Sequence, residues 1–246
     1  MKIIENYIQK SMINKIKTSI PNVHIKKGNY GSFAIKSQLV SDMDWHCVGK
    51  TDFDKFIKRY QIQAKDDNEK IFNWTLATRG DEEKSCNVTM IIPIFKDKLG
   101  NLWTLLQEES RPIDLFRNGK ESRLFAFPAG VIGDEIKSES ALESAVRELT
   151  EETGFVADSL QVLNSKKAIP TSPGLTDEST NYFLANIKNL ELTKNALTDS
   201  ITRAWWFIPL RNLTKWLLEM ENKGKIATGQ TLSALALLSQ KTKLKF

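Results

Sequence analysis

Residues 133 to 155 read GDEIKSESALESAVRELTEETGF. Ser140 followed three residues later by Glu143 is the pattern of a capping box, in which each side chain satisfies a backbone N–H of the other at a helix start. Gly154 stands where a helix C-terminus favours a residue with φ above zero. The spacing therefore predicts a helix over about 140–153. Within it Ala141, Leu142, Ala145, Val146 and Leu149 fall on one stripe, while Glu148, Glu151 and Glu152 gather on the adjoining face. Glu148 and Glu152 are one turn apart, and like charges at that spacing destabilise an isolated helix. Arg147 is placed to pair with Glu151 and offset part of the cost. A solvated acidic helix is one explanation; a face that receives cations is the other.

Outward from this helix the chain alternates in other ways. Upstream, WTLATR from Trp74, NVTMIIPIF from Asn87 and LWTLLQEE from Leu102 are short β-like runs, and the DKLGN between the last two suggests a hairpin. Downstream come strand-like LQVLN, STNYFLANI and AWWFIPL, a polar loop at 193–200, and helical patterns near 211–222 and 229–240. Strands, a helix and more strands without regular alternation predict an α+β fold. Residues 3–16 place Ile3, Ile4, Ile8, Ile13 and Ile16 at helical spacing, an apolar stripe that needs a receiving surface. The chain is read as an N-terminal extension or small domain over 1–80, serving dimerisation and the substrate pocket, followed by a second domain over 81–246.

The 246 residues are 41% hydrophobic and 26% charged, which suits a globular chain and excludes collagen-like or largely disordered classes. The first twenty residues are broken by charge too often for a signal peptide, and no window reaches the apolar length of a membrane span. Cys47 and Cys86 form no CxxC pair and no bridge framework, so a reduced, cytoplasmic setting is expected. The net charge of +5 comes from scattered lysines and arginines, which suits phosphate-bearing ligands better than a nucleic-acid polymer.

Gly133, Glu139, Arg147-Glu148-Leu149, Glu151-Glu152 and Gly154-Phe155 match, position for position, G-x5-E-x7-R-E-U-x-E-E-x-G-U, where U is a bulky apolar residue. By this box the chain is identified as a member of the Nudix hydrolases. The resemblance implies an α/β/α sandwich with a mixed sheet, and hydrolysis of a nucleoside diphosphate linked to another moiety with Mg2+, or Mn2+ as a substitute. It implies Glu148 and Glu152 as the main metal ligands, Glu151 assisting, Arg147 orienting the glutamates, and Glu139 as an outer ligand or structural residue.

Further stretches resemble the ADP-ribose and ADP-sugar pyrophosphatases. Phe127-Pro128-Ala129-Gly130 is similar to their E-x-PAG, which implies that the Ala129 carbonyl helps hold metal, although Phe125-Ala126-Phe127 leaves out the usual glutamate. Ser172-Pro173-Gly174 with Glu178 resembles their SPG loop, Gln107 to Pro112 their E-Q-x-R-x-P strand end, whose arginine approaches substrate phosphate, and Thr78-Arg79-Gly80 the arginine at the end of their preceding domain, often supplied across a dimer. The implied substrate contacts are Arg79, Arg111, Gly174 and Glu178. For the general base, Asp199 is the acid of the late loop, with Glu151 and Glu178 as alternatives. Trp45 and Trp74 are candidate stacking surfaces for a base. The implied reaction converts ADP-ribose or a related nucleoside diphosphate sugar into a nucleoside monophosphate and a sugar phosphate, in a homodimer. A dinucleotide or capped RNA end as substrate, and a non-catalytic nucleotide-sensing module, stay open.

Overall fold

The computed structural model describes residues 23–27, 33–38, 57–80, 86–113, 122–164, 167–190, 192, 201–242 and 244. The expected helix over 3–16, Trp45, Cys47 and the 193–200 loop with Asp199 lie outside the described residues.

The hairpin expected around DKLGN forms from β5 (Asn87–Lys96) and β6 (Leu102–Ser110). Asp97 organises its turn: the carboxylate accepts from the backbone N–H groups of Leu99 and Asn101, from the Asn101 amide and from Trp103 Nε1. Gly100 takes φ of 85°, a conformation that an L side chain rarely adopts. Around this pair an eleven-stranded sheet is built in the order β1 (Val23–Lys27), β2 (Phe33–Gln38), β12 (Thr202–Pro209), β6, β5, β11 (Ser179–Ile187), β10 (Ile169–Pro170). Shorter strands β7 (Arg123–Ala126), β8 (Ala129–Val131), β9 (Ser159–Val162) and β13 (Lys225–Ala227) join off this path. β5 with β11 and β7 with β13 are parallel, and the remaining pairs are antiparallel, so the sheet is mixed.

Strand alternation distributes the core between two faces. Ile91, Phe95, Trp103, Leu105, Trp205 and Phe207 face helix α1 (Ala141–Thr153), whose Ala145 and Leu149 are buried among them. Ile92, Ile94, Leu106, Trp206 and Ile208 face the opposite way, against α2 (Leu213–Glu221) and α3 (Gly229–Lys241). The result is the α/β/α sandwich that the box implies. Phe155, just past the helix end, is fully buried edge-on to Phe95, with centroids 5.2 Å apart, and so ties α1 to the sheet.

The apolar stripe of α1 is narrower than its sequence suggests. Leu142 and Val146 are about half exposed, and Ser144, Ala145, Glu148, Leu149 and Thr153 are the buried set. The helix is turned toward β8, which brings Glu148 inward at the expense of two aliphatic side chains. At the N-terminal end, β2 pairs with β12 and extends the main sheet, whereas β3 (Lys58–Lys65) and β4 (Ile71–Thr78) form a separate two-stranded sheet. Ile62, Ile71, Phe72 and Trp74 are exposed along this second hairpin. Among the described residues no helix is long and apolar enough to cross a membrane.

Candidate active site

Both ends of α1 are fixed by the residues that predicted them. Ser140 Oγ accepts from Glu143 N, Glu143 Oε2 accepts from Ser140 N, and Gly154 takes φ of 70° while its N–H donates to Thr150 O. On the preceding loop Gly133, at φ 84°, donates its N–H to Glu139 Oε1. Loop and helix thus meet at a carboxylate.

Arg147 gathers the acidic groups around it. Its Nε and Nη2 donate to the two oxygens of Glu139 at 3.1 and 2.8 Å, a forked pairing, and its Nη1 reaches Glu151 Oε2 at 3.0 Å and Glu148 Oε1 at 2.8 Å. Asp134 Oδ1 also accepts from Nη2 at 3.2 Å. These partners, Glu139 first, raise the affinity of the guanidinium for its proton although burial opposes that. Glu139 is held well below the usual carboxylate range, chiefly by its bonds to Arg147. Spent on Arg147 and Gly133, Glu139 braces the loop against the helix.

Glu148 is in a different condition. Burial pushes its carboxyl up to about 7, with the nearby charges of Asp134 and Glu151 adding to the effect of burial and Arg147 opposing it. Its carboxylate lies against Gly130 of β8, where an added Cβ would come within 1.8 Å of Oε1, so a larger residue there would displace the Glu148 carboxylate. One turn on, Glu152 Oε2 accepts from Ala129 N at 3.1 Å. Two carboxylates of α1 therefore bracket the Ala129-Gly130 backbone. Hard oxygen donors and a crowded negative charge beside a short strand form a donor set that fits a divalent cation such as magnesium. Among the described residues no three acidic, histidine or cysteine side chains already converge on one point.

A second group forms across the sheet. Ala77 N donates to Leu175 O at 2.8 Å and Ala77 bridges Thr176, which ties the end of β4 to the Ser172–Thr176 turn. Arg79 forms an ion pair with Glu178, 99 residues away in sequence. Burial opposes the charge of Arg79, but Glu178 outweighs it and the guanidinium holds its proton more tightly than usual. Thr78 Oγ1 and Cys86 N donate to Asp177 Oδ2 at 2.9 and 3.2 Å. Cys86 is a buried free thiol, pushed up by burial.

Both groups stand toward the Asn87 end of β5. Asn87 O accepts from Ile132 N just past β8, while Asn87 itself is the register partner of Ser179, next to Glu178. Of the residues singled out in the sequence, Ala129, Arg147, Glu148, Glu151 and Glu152 share one cluster, and Arg79 shares another with Glu178. Arg111 lies at the end of β6 with its Nε donating to Glu109 Oε2 at 2.7 Å. Gly174 is on an exposed turn, with nothing within 4 Å of an added Cβ. Sequence reading passed over Asp134, Asp177 and Gln230, whose Nε2 is 3.5 Å from Glu178 Oε1. Only Gln230 had a local signal, its place in the first turn of a helix capped by Thr228.

Residues 87–227 match the NUDIX domain family. A protein of Schizosaccharomyces pombe described as an uncharacterized Nudix hydrolase is 29% identical over 192 residues, covering 74% of this chain and 85% of its own length. Among solved structures, an ADP compounds hydrolase is similar with a TM-score of 0.52 and 20% identity, over 90% of this chain and 95% of that one. The NUDIX domain of Shewanella oneidensis NrtR, complexed with ADP ribose, has a TM-score of 0.44 and 17% identity, over 65% of this chain and 92% of its own. With the box residues gathered around Arg147 and the family matched over more than half of its length, the chain belongs to the Nudix hydrolases.

Proposed function

We propose that the protein hydrolyses the pyrophosphate bond of ADP-ribose or a related nucleoside diphosphate sugar, in the presence of magnesium, to a nucleoside monophosphate and a sugar phosphate. The observation that carries this reading is that the two groups stand toward the same end of β5. Glu148 and Glu152 bracket Ala129-Gly130, and Glu178, on the loop that follows Ser172-Pro173-Gly174, is paired with Arg79.

In this reading Glu148, Glu152 and the Ala129 carbonyl would hold the metal, and Arg147 positions the carboxylates of Glu148 and Glu151. A bound divalent ion polarises a phosphoryl oxygen and lowers the pKa of a bound water. Manganese is an alternative ion with the same preference for oxygen ligands. Arg79 and Arg111 supply forked donors for phosphate oxygens, Arg79 by exchanging Glu178 for substrate. Glu178 and the Gly174 turn line the approach. For the base that takes the water's proton, Asp199, Glu151 and Glu178 remain the candidates.

The active form is a homodimer in this reading. A two-stranded hairpin is marginal by itself, and β3–β4 carries Ile62, Phe72 and Trp74 on exposed surface, so a second copy is the cover that suits it. The reduced Cys86 suits a cytoplasmic protein. The test is chromatography of products from a panel of sugar nucleotides and dinucleotides. Magnesium-dependent AMP from ADP-ribose, lost in Glu152→Gln with the fold retained, is the expected result; inertness toward the whole panel would refute the reading. Light scattering on Phe72→Ser/Trp74→Ser, expected to give a monomer, tests the dimer.

A further inference from the structure

Thr89 on β5 is fully buried, and among the described residues its Oγ1 has no hydrogen-bond partner. Leaving a buried hydroxyl unsatisfied costs stability, and valine would fill the same space without that cost. We infer that Thr89 is a positioning residue for Glu148, its hydroxyl donating to the carboxylate when that group takes a metal ion. The inference rests on the proposed function and deepens it by naming what holds the principal ligand from the sheet.

Strand register brings the two groups together. Ile91 and Phe95 face α1, whereas Met90, Ile92 and Ile94 face the other way, so alternation points Thr89 toward α1. Its cross-strand partner is Gly130. In an antiparallel pair, opposite side chains share a face with their Cβ atoms about 5 Å apart. Gly130 has no Cβ, and Glu148 fills the place of one: a Cβ there would lie 1.8 Å from Oε1 and 2.6 Å from Oε2. The Glu148 carboxylate is therefore the cross-strand neighbour that Thr89 meets. Glycine on β8 admits the carboxylate, and threonine on β5 offers it a donor.

The other donors nearby are committed elsewhere or stand apart. Arg147 Nη1 reaches Glu148 Oε1 at 2.8 Å but also serves Glu151, and Ala129 N donates to Glu152. Gln107 Nε2 and Trp205 Nε1 are also buried without a partner among the described residues, but they stand opposite each other on β6 and β12. An ionised carboxylate has about four acceptor positions, so a second donor beside Arg147 is accommodated. A β-branched side chain is restricted at χ1, so its hydroxyl directs the carboxylate instead of following it. Hydrogen bonds of this kind orient metal-ligating carboxylates, and losing one typically costs about 10- to 100-fold in metal affinity or activity.

The test compares wild type with Thr89→Val, which keeps the shape and removes the hydroxyl, and with Thr89→Ser, which keeps the hydroxyl. Thr89→Ala replaces the first variant if it does not fold. Calorimetric titration with magnesium and the EPR signal of manganese read metal binding apart from turnover. Thr89→Val is expected to melt no lower than wild type. It should bind magnesium about 10-fold more weakly and lose about 10-fold in kcat, with KM changed by less than about 2-fold. Thr89→Ser should return both quantities to within about 3-fold of wild type. Metal affinity alike in wild type and Thr89→Val, or weakened equally in Thr89→Val and Thr89→Ser, overturns the inference. If wild type binds magnesium with the help of Thr89 but cleaves no sugar nucleotide, the proposed function falls and the positioning role stands. If Thr89→Val binds the ion and cleaves ADP-ribose as wild type does, the positioning role falls and the proposed function stands. A wild type that binds neither ion ends both.

Discussion

Glu108 on β6 and Glu148 on α1 are both buried carboxylates, at 2% and 7% exposure, yet they are shifted in opposite directions. Burial alone pushes each one up. At Glu108 the Lys225 ammonium donates at 2.7 Å, Trp206 Nε1 donates at 2.6 Å and Lys36 lies at 3.6 Å, and together they hold it below its ordinary value. Glu148 has a share of one arginine, which also serves Glu139 and Glu151, with Asp134 and Glu151 as negative neighbours. A neutralised carboxylate fastens β2, β12 and β13 to β6. An under-neutralised one held against a glycine backbone is the carboxylate that the proposed function assigns to a cation.

The comparison breaks most sharply at Gly130. Gly130→Ala puts a methyl into the Glu148 carboxylate, so hydrolysis should fall by about a thousandfold while the melting temperature changes little. Activity within a few-fold of wild type, measured at saturating substrate, would mean that Glu148 does not need its position. At the other glutamate the loss should be one of stability. Glu108→Gln leaves two ammonium groups without their counter-charge and should cost about 3 kcal/mol in a denaturant melt, with the metal response intact. An equal loss of metal response would erase the distinction between the two.

Acid sharpens the same contrast. The folded state holds Glu108 below its unfolded value of about 4.3, so its contribution to stability is present above that pH and is lost as pH falls through the lower folded value. Melts of wild type should therefore steepen below about pH 4.3, and Glu108→Gln should lack that component; parallel profiles would contradict the assignment. The smallest effect is expected at Ser140. Ser140→Ala removes the cap of α1 at a cost of about 1 kcal/mol, without altering the charge around Glu148, and calorimetry should find metal affinity nearly unchanged.

Legibility in the sequence followed how local each feature is. The cap, the end and the acidic face of α1 were readable because each is set by residues within one or two turns, and the Asp97 hairpin was readable for the same reason. The orientation of α1 was not: nothing in Leu142 or Val146 says that β8 will draw Glu148 inward in their place. Arg79 and Glu178 were named separately through family resemblance, but their pairing across 99 residues is a product of the fold. Glu108 was passed over inside the motif-bearing run Gln107 to Pro112. Strand alternation was the available signal, since it sets Glu108 on the face of Leu106, toward Trp206. The Thr228 cap places Gln230 in the first turn of α3, but its approach to Glu178 depends on how α3 lies over the sheet, which that pattern does not specify.

The measurement that bears most directly on the account is the melting temperature of metal-free wild type, Glu108→Gln and Glu148→Gln, with and without magnesium, at about one pH unit above the Glu148 value of about 7. At a magnesium concentration about 100 times the dissociation constant, wild type should rise by about 5 °C or more, and Glu108→Gln should start lower and rise as much. Glu148→Gln should start no lower than wild type, because a buried charge is gone, and should rise little. A wild type indifferent to magnesium, or a Glu148→Gln protein that rises as far as wild type, would contradict the claim that this carboxylate is kept for a cation.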